Sequence, residues 1–508
     1  MTLKITLLEN EVWYGLASDE GYNMPLDKSS SYSFKMQPVN TPNQYAPLLV
    51  SSMGRYVWGE DGFDTTIENG VIELTSSLAP VKLYEGYKTL RGAFTAAAKA
   101  HFPTNGVLPP VDFFEKPQYN TWIEFIYNQN EEGIYNYCKT IHENNMPTGV
   151  IMIDDMWSCY YGRWDFDRKK FPNPDKLINT LHSWGFKVML WICPFICPDS
   201  EEFRYIRDAG GLVRNQDGSV RIVEWWDGFS SVLDLSNPVD MKWLCEQCDF
   251  LTNTYGIDGF KLDAGDARFY LDTDKTYGNV TANEQCELWA KFGLRYAYNE
   301  YRACYKCAGL PLVQRLQDKR HSWDNDGLNL LIPNMLAQGI LGYAYGCPDM
   351  VGGGQYLDFL PGAKQFDPEL FVRYTATSTL MPMIQFSAAP WRVLDDKHYG
   401  YVKSLLKIRE EFLPLIMSLA DEAAKSGEPI VRYLEYVFPH EGLEHITDEF
   451  MIGDSVLVAP ILEKGKISRK VVLPTGTWKE RSTGNLISGG CTIEAIAKLD
   501  ELPVFIKQ

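Results

Sequence analysis

The sequence predicts an α/β protein: a (β/α)8 barrel with an N-terminal β-sandwich domain and a small C-terminal β-domain. Three observations predict it. From about residue 118 to 400, short apolar β-like runs alternate with helix-patterned segments, the signature of a parallel sheet with crossover helices. The number of repeats favours a closed eightfold barrel over an open sheet. On both sides of that stretch, strand-like runs follow one another with only turn residues between them.

Residues 1–112 carry the runs YSFKM, PLLVSS, GRYVWG and VIELTSS, broken by Gly, Pro, Asn and Asp clusters, as in an antiparallel sandwich. LRGAFTAAAKAHFP then reads as a short helix leading into the Pro-rich linker PTNGVLPPVDFFEKP. The barrel is assigned to residues 113–418. Its first elements are TWIEFIY as a strand, EEGIYNYCKTIHENN as a helix, TGVIMID as a strand, PDKLINTLHSWG as a helix and KVMLWICP as a strand. Asp154 and Asp155 follow VIMI, Trp191 follows KVML and Asp263 follows GFKL. Such placement matters because barrel active sites sit at the C-terminal ends of the strands. A helix over about 402 to 418 closes the barrel, and VRYLEYVF, SVLVAPILE, RKVVLP and LPVFIK make residues 419–508 a small β-domain.

At 508 residues the chain exceeds one ordinary domain. A formal net charge of -18 argues against nucleic acid as a partner, since like charges would have to meet, and makes a neutral small molecule or oligosaccharide the simpler expectation. Aromatic residues reach 13%, which suits a sugar-binding enzyme, because the C–H face of a pyranose packs on a flat ring; large core aromatics explain any single ring equally well. The first residues show no basic segment followed by an apolar one, and no apolar run approaches the ~18 residues of a membrane span, so a cytoplasmic location without a membrane partner is expected. Whether the chain forms a homo-oligomer is left open. The 11 cysteines fit reduced thiols. Cys245/Cys248 and Cys304/Cys307 form two C-x-x-C pairs, but the first lies in the helix-patterned MKWLCEQCDFLTNTYG and the pairs are far apart for a zinc ribbon, so packing is the favoured reading and no metal is expected.

The segment GIDGFKLDAGDA, residues 256 to 267, places Asp263 at the end of a strand with the small Ala264 and Gly265 after it. A carboxylate there is open to an electrophilic carbon, although a structural Asp at a loop start has the same sequence. Lys261, two residues back, points to the same side of the strand, where it would keep a carboxylate ionised or donate to a sugar hydroxyl.

This segment resembles the nucleophile block of glycoside hydrolase family 31, of the type G-[VI]-D-x-[FW]-K-x-D-x-G-[DE]. IDDMWSCYYGRWDFDRKKFPNPDKLINTLHSWGFKVMLWICPFI is similar to that family's second and third strand region, and FMIGDSVLVAPILEKGKISRKVVLPTGTWKERSTG to its C-terminal β-domain. The resemblance implies a TIM barrel, no cofactor, and two catalytic carboxyl groups, with Asp263 as the nucleophile. For the acid/base, Asp318, Asp324 and Asp326 stand close together, and the family's usual W-x-G-D is lacking. Family members carry an Arg about sixteen residues before the acid and an acidic residue about thirty after it. Arg302 precedes Asp318 by 16 residues and Asp349 follows it by 31, whereas the counts from Asp324 are 22 and 25. Asp318 is therefore chosen and Asp326 held in reserve.

Within the family the likeness is to the branch of the myogenesis-regulating glycosidase and its α-galactosidase relatives. It rests on Arg315 to Asp318, Trp323 with Asp326, Pro348 to Gly353, the Trp225, Trp226, Asp227, Gly228 block, and Met381 to Trp391. Ser387 stands where the α-glucosidase branch carries a sugar-contacting His, which favours galactose. The resemblance thus implies a retaining exo-α-glycosidase, most of all an α-galactosidase. Its alternatives are an α-glucosidase, an α-xylosidase or an α-N-acetylgalactosaminidase, and, from another class, a sugar-binding protein on an inactive scaffold. Retention asks for two carboxyl groups roughly 5–5.5 Å apart, one ionised and one protonated. For the remaining pocket residues, Asp154 and Asp155 are expected to accept from sugar hydroxyls, Arg302 and Asp349 to hold the sugar and orient the acid, and Trp191 and Trp226 to form apolar walls. Asp227, Lys261 and Trp323 complete the expected substrate-binding set; a structural ion pair or a core aromatic is the alternative for each.

Overall fold

Alternation of apolar and polar residues builds the N-terminal sheets. In Val71–Thr75 the side chains of Ile72 and Leu74 are fully buried and their neighbours are not, the period of a strand with one face on a core. It lies between Thr2–Thr6 and Asp64–Glu68 in an antiparallel sheet completed by Tyr32–Phe34. A second antiparallel sheet joins Trp13–Ala17, Gln44–Ser51, Tyr56–Trp58 and Lys82–Tyr84, and Gln44–Ser51 is buried along its whole length. The helix Leu90–His101 follows, with the Thr89 hydroxyl accepting from the amide of Gly92.

This computed structural model describes residues 1–37, 39–360 and 366–508. Two compact units emerge: residues 1–37, 43–115 and 308–508 form one, residues 38–42 and 116–307 the other. The second unit holds five parallel strands in the order Gln118–Asn120, Val150–Ile153, Lys187–Ile192, Gly259–Leu262, Tyr298–Tyr301. Between them run the helices Glu131–Glu143, Pro174–Ser183, Pro238–Tyr255 and Ala282–Gly293. Local chemistry sets their ends. Asn237 accepts from the amide of Val239 ahead of Pro238, Gly256 stops the same helix with a left-handed φ of 74°, and Thr281 with Glu284 forms a reciprocal cap. Cys245 and Cys248 lie one turn apart on Pro238–Tyr255, with Cys248 in the core.

The first unit adds three short strands, Val313–Arg315, Gly346–Cys347 and Gln385–Phe386, joined by parallel pairing of Gln314 with Gly346 and by a parallel bridge from Met350 to Gln385. Helices Leu331–Ile340 and Pro368–Ser378 connect them and Asp396–Ser426 follows. Five strands in one unit and three in the other equal the count expected of an eightfold barrel. Leu331–Ile340 is buried on all sides and lies against the turn Ser18–Asn23 so closely that a Cβ on Gly21 would sit 2.2 Å from the carbonyl oxygen of Pro333. Asp396–Ser426 spans 31 residues, well beyond the expected 402–418. Its buried Arg409 donates to the carbonyls of Thr379, Met381, Pro382 and Phe114, at 2.7 to 3.0 Å. Burial without a carboxylate partner lowers this guanidinium to about 10.

The C-terminal residues form the sheet Val431–Arg432, Phe450–Ile452, Val456–Val458, Val504–Lys507, Thr477–Glu480, Leu486–Ser488, together with the pair Ser468–Leu473 and Cys491–Ile496, around a core of Leu457, Trp478 and Phe505. Two expected strands differ. TWIEFIY is a short helix, Trp122–Phe125, and the strand is Gln118–Asn120; the Asn120 side chain accepts from the amide of Trp122 at 2.8 Å and turns the chain out of the sheet. VRYLEYVF is a strand only at Val431–Arg432 and then a turn of helix, Leu434–Val437, since a short run buried on every side has no period to favour a strand.

Candidate active site

The register of the second unit's strands brings its polar residues to one edge. Trp191 pairs with Lys261 and Lys261 with Glu300, so Trp191, Lys261 and the residues that follow each strand, Asp154, Asp263 and Arg302, gather at the C-terminal ends. Adjacent strands run about 4.8 Å apart, near enough for side chains to reach across one or two of them.

Asp263 is gripped at both oxygens. Oδ2 accepts from the Trp191 indole Nε1 at 3.0 Å, while Oδ1 accepts from Arg302 Nε at 3.1 Å and from the amide of Ala264 at 2.9 Å. These donors favour the ionised form. Ala264 takes a φ of 57°, in the left-handed region, at a cost of about 1 kcal/mol. The side chain of Asp263 keeps 12% exposure. Arg302 is itself fixed: Nη2 and Nη1 reach Asp266 at 2.9 and 3.2 Å, Nη1 donates to the Pro42 carbonyl at 2.7 Å, and the guanidinium lies 5.6 Å from the ring centre of Trp226. Asp266, fully buried, also receives Arg268 at 2.9 Å. Sequence reasoning missed Asp266, whose signal was its position three residues after Asp263 in DAGD.

Asp154 and Lys261 form a buried pair at 2.6 Å. Asp155 turns elsewhere: Tyr161 Oη lies 3.0 Å from its Oδ2 and 2.6 Å from Oδ2 of Asp227, on the tip of the hairpin Ile222–Trp225 and Gly228–Val232. Burial, and then the charge of Asp227, push the Asp155 carboxyl well up. Tyr161 packs edge-on to Trp225 at 4.7 Å and was not singled out by sequence. Of the two expected walls, Trp191 is buried and acts as a donor to Asp263, while Trp226 is 45% exposed at the hairpin tip.

In the first unit, Asp318 lies three residues past Val313–Arg315, and Arg315 Nη1 donates to it at 2.8 Å and to Asp349 at 3.0 Å. Asp349 is buried and accepts amides of Lys319 at 2.7 Å and Gly354 at 3.0 Å; burial raises its carboxyl against the pull of Arg315. Arg302 pairs with Asp263 and Asp266, and Arg315 with Asp318 and Asp349. Asp318 keeps 36% side-chain exposure, and a Cβ on Gly354 would come within 2.9 Å of its carboxyl. Asp324 and Asp326 are exposed on the loop beyond, where Asp324 accepts from Ser322 and from the amide of Asp326. Trp323 donates to Asp367 at 3.0 Å, which Lys464 also reaches at 2.7 Å. Among the described residues, no group of three or more His, Cys, Asp or Glu side chains is arranged to hold a metal ion, and no helix is long and apolar enough to cross a membrane.

Residues 115–419 match the glycosyl hydrolases family 31 TIM-barrel domain and residues 427–508 the glycosyl hydrolase family 31 C-terminal domain. The chain is 31% identical over 394 residues to the myogenesis-regulating glycosidase of Mus musculus, covering 75% of this chain and 54% of that protein. It is 27% identical to alpha-glucosidase 2 of Bacillus thermoamyloliquefaciens over 75% of this chain and 51% of that one. It therefore spans about half the length of these curated relatives. A crystal structure of a GH31 alpha-xylosidase from a soil metagenome, complexed with xylose, superposes with a TM-score of 0.84 at 20% identity, covering 100% of this chain and 79% of that one, and shares the fold.

Proposed function

Since the chain belongs to glycosyl hydrolase family 31, we propose that it is a retaining exo-α-glycosidase in which Asp263 attacks the anomeric carbon and Asp318 protonates the departing oxygen. The observation that carries this is the grip on Asp263: three donors hold an anion at the end of a barrel strand while its side chain stays partly open. Cleavage builds positive charge at the anomeric carbon, which that anion answers by forming a glycosyl ester. Asp318 then takes the proton of a water that hydrolyses the ester. Its greater exposure suits a group that exchanges a proton in each half-reaction. Asp154 with Lys261, and Arg302, present acceptors and donors to a neutral sugar's hydroxyls.

Galactose is the sugar favoured, because Ser387 replaces the His expected of glucose-specific members and because of the resemblance to the α-galactosidase branch; glucosides, xylosides and N-acetylgalactosaminides are the alternatives. A panel of nitrophenyl α-glycosides decides. Turnover of the galactoside above the others is expected, turnover of the glucoside alone overturns the sugar, and no turnover of any overturns the enzyme.

A further inference from the structure

Two carboxyl groups and one phenol meet beside the Asp263 cluster with too few protons on the phenol to serve both. Tyr161 has a single hydroxyl proton, yet its oxygen lies within 3.0 Å of Asp155 and 2.6 Å of Asp227. Among the described residues neither aspartate is ion-paired with a Lys or Arg: Lys261 is taken by Asp154, and Arg302 by Asp263 and Asp266. The other groups facing Asp155 are the Asp154 carboxylate, whose Oδ1 accepts the Asp155 amide, and the buried thiol of Cys193. Two ionised carboxylates in so acidic a setting repel, and one proton held between them removes the repulsion.

We propose that Tyr161 is a positioning residue which, with one proton shared by Asp155 and Asp227, latches the 222–232 hairpin onto the loop after the second barrel strand and thereby sets sugar affinity. The hairpin tip carries Trp226, whose ring faces the guanidinium that holds Asp263, so its position bears on the arginine and on the rim of the sugar site. The ring of Tyr161 supports the same contact from the side, 4.7 Å from Trp225 and 6.0 Å from Trp191. The upward push on Asp155 gives the direction of the pH effect. A carboxyl raised in the latched state stabilises that state at low pH, and the contribution is lost as pH rises through the raised value.

The sugar-affinity part rests on the glycosidase reading, so the experiment has one readout that needs no turnover. Hydrogen exchange of the 222–232 amides in the full chain, corrected for intrinsic rates, should show protection that is level at low pH, falls by up to about tenfold per pH unit between the ordinary carboxyl range and the raised Asp155 value, and is level again above it. In Asp227→Asn the amide donates to Asp155 and accepts from Tyr161 at every pH, so protection becomes flat with pH. Tyr161→Phe keeps the ring contacts and lowers protection about tenfold at low pH. On a turned-over α-glycoside, KM of the wild type should rise over the same interval while kcat stays level, and in Asp227→Asn the rise should vanish. Hairpin protection independent of pH in the wild type, or an Asp227→Asn chain that keeps the wild-type dependence, overturns the latch. Loss of turnover together with an intact pH-dependent hairpin overturns only the glycosidase reading.

Discussion

Asp263 and Asp318 both stand just beyond a barrel strand, yet one is held and the other is nearly loose. Asp263 has both oxygens engaged by an indole, a guanidinium and an amide, with the guanidinium itself anchored on Asp266. Asp318 leans on Arg315, which it shares with Asp349, and its side chain is three times as exposed, 36% against 12%. On the proposed reading, the difference fits one residue type to two jobs. Fixed donors stabilise charge and orient a nucleophile, whereas a shared cation and an open side leave a group free to exchange protons.

Substitutions in the two clusters break or sharpen this contrast. Asp263→Asn removes the anion and should lower turnover of a nitrophenyl α-glycoside by about 10³-fold or more with an unchanged thermal unfolding profile; near-normal rates would show that the nucleophile lies elsewhere. Asp318→Ala should cost about 10²- to 10⁴-fold on substrates with poor leaving groups and much less on activated ones. Should Asp326→Ala give that pattern instead, the acid belongs to the outer loop. Lys261→Met strands Asp154 in the interior and should cost about 3–5 kcal/mol in denaturant unfolding, an effect with no counterpart in the exposed Asp318 region. Gly354→Ala, with its new methyl meeting the Asp318 carboxyl, should lower kcat/KM by about tenfold while leaving the Asp263 cluster intact, measured by steady-state kinetics.

The strands Val150–Ile153 and Gly259–Leu262 were legible as apolar runs each followed by an aspartate, and Asp263 through the block GIDGFKLDAGDA. The helices were legible through their apolar periodicity. TWIEFIY was not, since the Asn120 side chain captures the amide that would have continued the strand. Tyr161 and Asp227 lie 66 residues apart and no local pattern joins a phenol to a distant hairpin. Arg315 was visible as part of a motif, but its sharing between Asp318 and Asp349 depends on the fold of the following loops.

The first unit is assembled from the two ends of the sequence. Tyr45 offers its carbonyl to the hydroxyl of Tyr343, 298 positions later, and Gln44 reaches the carbonyl of Arg315. At ribosomal speeds of about 5–20 residues per second, the earlier partner waits about 15–60 s for the later one to be made. During that interval the strand Gln44–Ser51, buried along its whole length in the finished fold, lacks part of its covering, so newborn chains are at their stickiest before the last third has emerged.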